Sequence, residues 1–484
     1  MKFSLLSKQF IDNTIDTSLV YNLSIDRTLS YFSDNSRKNE YFATVLCNIP
    51  KDKEEIFRRR EVICDFTETE NLFADVRAIF RRYDKLKSDW MELKGNAGPA
   101  LSDKGNEAAL EYCYSSLKVT SLFPKTIDSF FGSIYEILSS YPIKSRALTE
   151  IRDYCKETVN SEAFSRLCEI AASFSYNKVS DYDFSVITEL SDLLYLSECE
   201  ISAINKREEK KKNIFDKFKV HKSEDDIIFS TENEVAEDGE YILCEALLRI
   251  DDLLEQITDK VYDSFYGLSL ELDFYEVAMS YCDFLKNHGI ENCYPEISSD
   301  RLDFDELKDL FLLCGQDKVY PNSFRLDCGN GAVIKGKNNT GKTTFLRSVG
   351  SAVLFSYAGL PIPCKSACVV LYSNIFSHFS SAEESFESGD SSGRFEGEVK
   401  AVSEIVNSLE SNSLILLNET FQTTSYDEGS LGISPVLRVF IKENCNFIFI
   451  THLSDLFSGD DEKIIKYESK EDEFKIIPIE AKTK

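Results

Sequence analysis

Residues 336–343 read Gly-Lys-Asn-Asn-Thr-Gly-Lys-Thr, and this octapeptide limits what the chain can fold into more than any other stretch. Glycine at both ends of such a loop lets the backbone turn successive N–H groups inward, where they cradle phosphate oxygens. The lysine of the pattern reaches the β- and γ-phosphates of a nucleoside triphosphate, and the hydroxyl that follows it holds Mg²⁺. Lys342 and Thr343 stand at those two positions, with Gly336, Asn338, Asn339, Thr340, Gly341 and Thr344 completing the candidate phosphate cradle. A loop of this kind works only between a strand and a helix. Gly331-Ala332-Val333-Ile334-Lys335 is a short apolar run suited to a strand, and Thr344-Phe345-Leu346-Arg347-Ser348-Val349 opens a helical pattern. A glycine turn that matched by accident would lack these flanks.

Two further apolar runs end in polar residues. Leu414-Ile415-Leu416-Leu417 leads into Asn418-Glu419 about 75 residues on, and the expectation is a strand lying beside the first. Phe447-Ile448-Phe449-Ile450 leads into Thr451-His452. In open α/β sheets ligands bind at the carboxyl ends of the strands, so Lys342, Glu419 and His452 are expected to converge. Glu419 is then the candidate base that orients and deprotonates an attacking water, and His452 a contact to the γ-phosphate or to that water. A histidine at a strand end is by itself more often structural than functional; here its placement opposite the phosphate loop favours function.

These blocks resemble a known family. Val319-Tyr320-Pro321-Asn322, the phosphate loop through Arg347, Ala358 to Ala367, Asn418 to Asp427 and Thr451 to Leu456 are similar, in order, to the ATPase domain of MutS-type DNA mismatch repair proteins. Leu23 to Leu29 with Phe57 to Asp65 resembles the start of that family's helical core, and Phe265 to Tyr275 with Cys293 to Ile297 its end. The resemblance implies an α + α/β fold: a mostly helical core and lever domain over residues 1–318, with a reduced clamp around 200–240, then a P-loop ATPase domain with a mixed sheet, related to the ABC-type ATPases, over 319–484. It implies ATP and Mg²⁺ as ligands, with Thr343 and Asn418 at the metal. It also implies a homodimer with composite ATP sites, acting as an ATP-gated clamp on double-stranded or branched DNA in repair or recombination.

The departures from the family pattern carry their own expectations. The family has Asp-Glu at the end of the second strand, where this chain has Asn418-Glu419; asparagine keeps the shape and one acceptor oxygen but loses a charge, so hydrolysis is expected to be slow. The signature segment, which in the family caps the nucleotide of the opposite subunit, corresponds to Ser391 to Glu398; anchoring it on Ser392, Gly393 and Arg394 or on Phe395 and Glu398 gives different registers. Tyr320 stacks on adenine or is a core tyrosine, and the sequence leaves both open. Core-like sequence begins almost at residue 1, and the expectation is a protein without its own mismatch-reading module. Only 10 prolines and 20 glycines in 484 residues, and apolar spacing of three and four over Tyr262 to Leu285, support helices in the first part.

Charge argues against a simple polyanion binder: 83 acidic against 55 basic side chains give a net charge of −28, and phosphate contacts dominate nucleic-acid affinity. Basic residues crowd one segment, Lys206 to Lys222, with Lys210, Lys211 and Lys212 at its centre. Such a run is usually a solvated face; it falls where the family inserts its DNA-gripping clamp, which makes it the candidate polyanion contact. The acidic balance supports a second reading, an ATP-gated protein-interaction switch of the same fold that never touches DNA. The 14 cysteines form no CxxC pair and suit apolar filling in a reducing cytoplasm. No stretch is long and apolar enough for a membrane span, and the N-terminus lacks a leader pattern. Ser377 to Gly393 is expected to be a surface loop.

Overall fold

A computed structural model describes residues 2–7, 16–95, 106–176, 182–190, 196–206, 232–316, 318–380, 391–421, 426–453, 462–470 and 473–479. Helices come first: α1 (Thr17–Asn22), α2 (Ile25–Leu29), α3 (Ser36–Cys47), α4 (Lys53–Glu68), α5 (Leu72–Gly95), α6 (Asn106–Thr120), α7 (Phe123–Ser140), α8 (Arg146–Val159) and α9 (Glu162–Tyr176). A hairpin, β1 (Tyr182–Leu190) and β2 (Leu196–Lys206), precedes α10 (Glu232–Tyr262) and α11 (Leu268–Asn287). Next along the chain are β3 (Glu296–Ser298), β4 (Arg301–Leu307), α12 (Leu310–Gly315), β5 (Asn322–Asp327), β6 (Gly331–Lys335), α13 (Lys342–Tyr357), β7 (Ser366–Val370) and β8 (Ile375–Phe379). The chain ends with α14 (Ser391–Asn407), β9 (Leu414–Asn418), α15 (Tyr426–Lys442), β10 (Asn446–Ile450), β11 (Ile464–Lys470) and β12 (Lys475–Pro478). This is mixed helical and sheet architecture of the α + α/β kind.

Two compact units share the chain, and each draws on separate segments. One comprises residues 1–3, 71–143 and 148–269; the other comprises 4–70, 144–147 and 270–484. Among its described residues the first is mainly helical, with the β1–β2 hairpin as its sheet element. Its core is aromatic: Tyr83 lies flat against Tyr262 at 4.4 Å, Trp90 against Phe123 at 4.9 Å, and Phe131 meets the edge of Phe265 at 5.1 Å. The helix expected over Tyr262 to Leu285 is broken in the structure. Asp263–Phe265 forms a 3₁₀ turn and Gly267 takes φ 97°, so α10 and α11 are separate helices with a bend that periodicity alone does not reveal.

The second unit holds two sheets. The larger has strand order β12-β11-β6-β10-β9-β8; β11, β6, β10, β9 and β8 run parallel and β12 closes the edge antiparallel. The expectation that the Leu414 strand lies beside the Gly331 strand is corrected here, because β10 sits between them. Both β9 and β10 are buried along their whole length, as strands covered on two faces must be, and such runs encode no strand order. The smaller sheet, β3-β7-β4-β5, is mixed. The expected loop over Ser377 to Gly393 is also corrected at both ends: Ser377 to Phe379 belongs to β8, and Ser391 to Gly393 opens α14. Residues 381–390, between those ends, lie outside the described residues.

Helix α13 starts at Gly341, whose left-handed backbone turns the preceding loop into the helix, and runs through the middle of the second unit. Residue 350 must be glycine: a Cβ there would lie 2.6 Å from Leu23 on one side and 2.7 Å from Leu416 of β9 on the other. Helix-interior glycine costs roughly 1 kcal/mol against alanine, and here it allows the sheet and the first helices to close on α13 together. Among the described residues no helix is long and apolar enough to cross a membrane.

Candidate nucleotide-binding site

Parallel pairing brings the strand ends into one row. Tyr467 pairs with Ile334, Ile334 with Ile450, Ile450 with Asn418 and Asn418 with Phe379, so the residues next after these strands emerge along a single edge. The Gly336 loop leaves β6, Glu419 leaves β9, and Thr451 and His452 leave β10 at that edge. The Thr451 N–H donates to Ile334 O at 3.1 Å, and the Glu419 N–H to Ile450 O at 2.9 Å, which ties the three exits together.

The loop closes on itself. Gly336 has φ 154° and packs so closely on Ser469 of β11 that a Cβ would collide with the Ser469 hydroxyl. Thr340 is buried and its hydroxyl lies 2.5 Å from the same Ser469 oxygen and 2.8 Å from Lys337 O. The Lys342 ammonium folds back under the loop and donates to Gly336 O at 2.8 Å and Lys337 O at 2.5 Å. Burial lowers its pKa from the ordinary lysine value, and the Glu419 carboxylate opposes that shift. Asn339 takes a left-handed backbone, φ 64°. Asn338 is exposed and Thr344 half-buried.

Thr343 and Asn418 meet: the threonine hydroxyl donates to Asn418 Oδ1 at 3.1 Å. His452 Nε2 lies 3.4 Å from Glu419 Oε1. A cavity of about 690 Å³ opens beside the loop, lined by Lys337, Thr340, Thr451, His452, Ser469 and Lys470 among others. Tyr320 is not in the core; it is 37 % exposed, with the Lys318 ammonium 4.8 Å from its ring centre and Phe474 5.3 Å away on another side. Phe474, also left-handed at φ 49°, packs against the Gly341 turn, so an aromatic pair stands beside the loop.

The sequence points to Lys342, Thr343, Asn418, Glu419 and His452, and the structure brings these together. Ser469 and Phe474 are additions from the structure; they come from β11 and from the turn before β12, over a hundred residues further on, and carry no local signal. Ser392, Gly393 and Arg394 lie in the first turn of α14, with side chains outside the described residues. Lys210, Lys211 and Lys212 lie outside the described residues altogether.

Residues 332–473 match the family model for MutS domain V. Among curated proteins, the endonuclease MutS2 of Finegoldia magna is 31% identical over 219 residues, which is 44% of this chain and 27% of that protein. The DNA mismatch repair protein MutS of Petrotoga mobilis is 34% identical over 151 residues, 31% of this chain and 16% of that protein. The mitochondrial DNA mismatch repair protein MSH1 of Arabidopsis thaliana is 30% identical over 126 residues, 26% and 11% respectively. The matched stretch spans at most 27% of the length of these three relatives. The glycine loop and the strands β9, β10 and β11 lie within residues 332–473, and this stretch is a MutS-type domain V.

Proposed function

We propose that this protein binds and hydrolyses ATP with Mg²⁺ in the site at the ends of β6, β9 and β10, and that nucleotide occupancy gates a clamp that acts on DNA in repair. The observation that carries the ATP reading is the pairing of Lys342 with the loop carbonyls beside the Thr343–Asn418 contact: an ammonium held where β- and γ-phosphates would draw it out, next to a hydroxyl and an amide oxygen. Those two oxygens fit a hard cation that prefers oxygen ligands. When bound, Mg²⁺ neutralises charge on the phosphate oxygens. Loop N–H groups from Gly336 to Thr344 hold the phosphates, Tyr320 and Phe474 offer ring faces to the base, and Glu419 takes the proton from the attacking water while His452 orients it. Two such sites in a dimer, each closed by α14 of the opposite subunit, complete the reading, with residues 1–318 as core and levers and 319–484 as the ATPase.

Asn418 gives this reading a test. Asn418→Asp adds a negative charge beside Thr343, so the Mg²⁺ concentration for half-maximal hydrolysis is expected to fall several-fold. A titration with an unchanged midpoint would remove Asn418 from the metal shell.

DNA is tested directly. Double-stranded or branched DNA is expected to stimulate hydrolysis, with affinity that drops steeply as salt rises, because each phosphate contact releases a counterion. Replacing Lys210, Lys211 and Lys212 by Glu is expected to weaken binding to all sequences and to flatten the salt slope by about one unit for each lysine–phosphate pair removed, with DNA-free hydrolysis unchanged. No binding of any DNA at low salt would favour the second reading, an ATP-gated switch that engages a protein partner, which the net charge of −28 supports.

A further inference from the structure

The backbone after Glu419 is unusual. Glu419 and Phe421 have φ of 56° and 64°, a region that side-chain-bearing residues hold only where their surroundings keep them there. Thr420 between them is fully buried, with its hydroxyl 2.9 Å from His378 Nδ1 of β8. The turn is gripped from one further side by α14. The Phe421 N–H donates to Glu398 Oε2 at 2.9 Å, while the Ser380 hydroxyl at the end of β8 donates to Glu398 Oε1 at 2.6 Å. Glu398 is only 7 % exposed. Three residues earlier, on the same face of the helix, Phe395 sets its ring 5.5 Å from that of Phe421. One helix therefore holds the turn by backbone and by side chain.

We infer that Glu398 is a positioning residue for ATP hydrolysis: its two carboxylate oxygens fix the 419–421 turn between α14 and β8, and so fix the Glu419 carboxylate in its place beside His452. The Glu398 carboxylate itself faces the turn. Any displacement of α14 is carried through this tether to Glu419. The inference rests on the ATP-hydrolysing reading above.

The test compares Glu398→Ala, Glu398→Gln and Glu419→Ala in the full chain, measuring ATP affinity by calorimetry and kcat by phosphate release. Misplacing a catalytic group by about 1 Å costs on the order of a hundredfold. Glu398→Ala is expected to lower kcat roughly ten- to a hundredfold, with ATP affinity within about twofold of the parent. Glu398→Gln keeps the length, one acceptor for the Phe421 N–H and a donor for the Ser380 oxygen, and is expected to restore kcat to within about threefold. In the Glu419→Ala background, Glu398→Ala is expected to cost nothing further, because both act through one carboxylate. The inference is overturned if Glu398→Ala hydrolyses like the parent, if it loses ATP affinity together with kcat, if Glu398→Gln is as impaired as alanine, or if the two losses multiply. A parent protein that binds ATP and never hydrolyses it sinks the hydrolysis reading instead, and Glu398 falls with it.

Discussion

Glu419→Ala is expected to bind ATP as tightly as the parent and to hydrolyse it on the order of a hundredfold more slowly or worse, since a positioned general base contributes roughly 10²- to 10⁴-fold. The expectation comes from placement. Glu419 leaves the end of β9 at the strand edge where the glycine loop leaves β6, its backbone N–H is bonded to Ile450 O, and His452 Nε2 is 3.4 Å from its carboxylate. An anionic carboxylate is not itself a ligand of phosphate oxygens, so affinity and turnover should separate. Single-turnover phosphate release beside equilibrium binding reads both. Hydrolysis at the parent rate would mean that another group takes the proton.

Lys342→Ala is expected to abolish tight ATP binding. An ammonium bonded to a phosphate oxygen is a charge-assisted contact of about 1.5–3 kcal/mol, roughly ten- to a hundredfold in Kd. A second loss compounds it. The same ammonium bonds the carbonyls of Gly336 and Lys337, so alanine also removes the group that holds the loop in shape. Calorimetry with ATP checks this, and unchanged affinity would take the nucleotide away from this loop.

The local parts of the site were legible in the sequence and the long-range parts were not. The octapeptide and the two apolar runs ending in Asn418-Glu419 and Thr451-His452 fixed which residues emerge at a strand's carboxyl end, because strand direction and the side on which ligands sit follow from parallel pairing. Strand order did not follow: β9 and β10 are both uniformly buried, and nothing in either run says which pairs with β6. Ser469 touches the loop only because β11 pairs with β6, and Phe474 stands beside Tyr320 from a left-handed position just before β12. Glu398 stands in the sequence only as one of two anchors for the signature segment; its burial between Ser380 and Phe421 is a product of the fold. The missed break at Asp263–Gly267 has the same origin, since apolar spacing continues across it while the backbone does not.

The seating of α13 has a practical bearing on how the protein can be divided. Phe355 of that helix packs against Phe42 of α3 at 6.0 Å and Tyr281 of α11 at 5.2 Å, and Gly350 touches Leu23. A fragment cut to begin at residue 319 would keep every phosphate-loop residue and still expose this apolar flank to water. Recombinant production of the ATPase alone would therefore call for residues 4–70 and 270–318 to be retained, for instance by excising 71–143 and 148–269 and bridging the ends. Shortening the chain from its front would strip the loop's own helix of its cover.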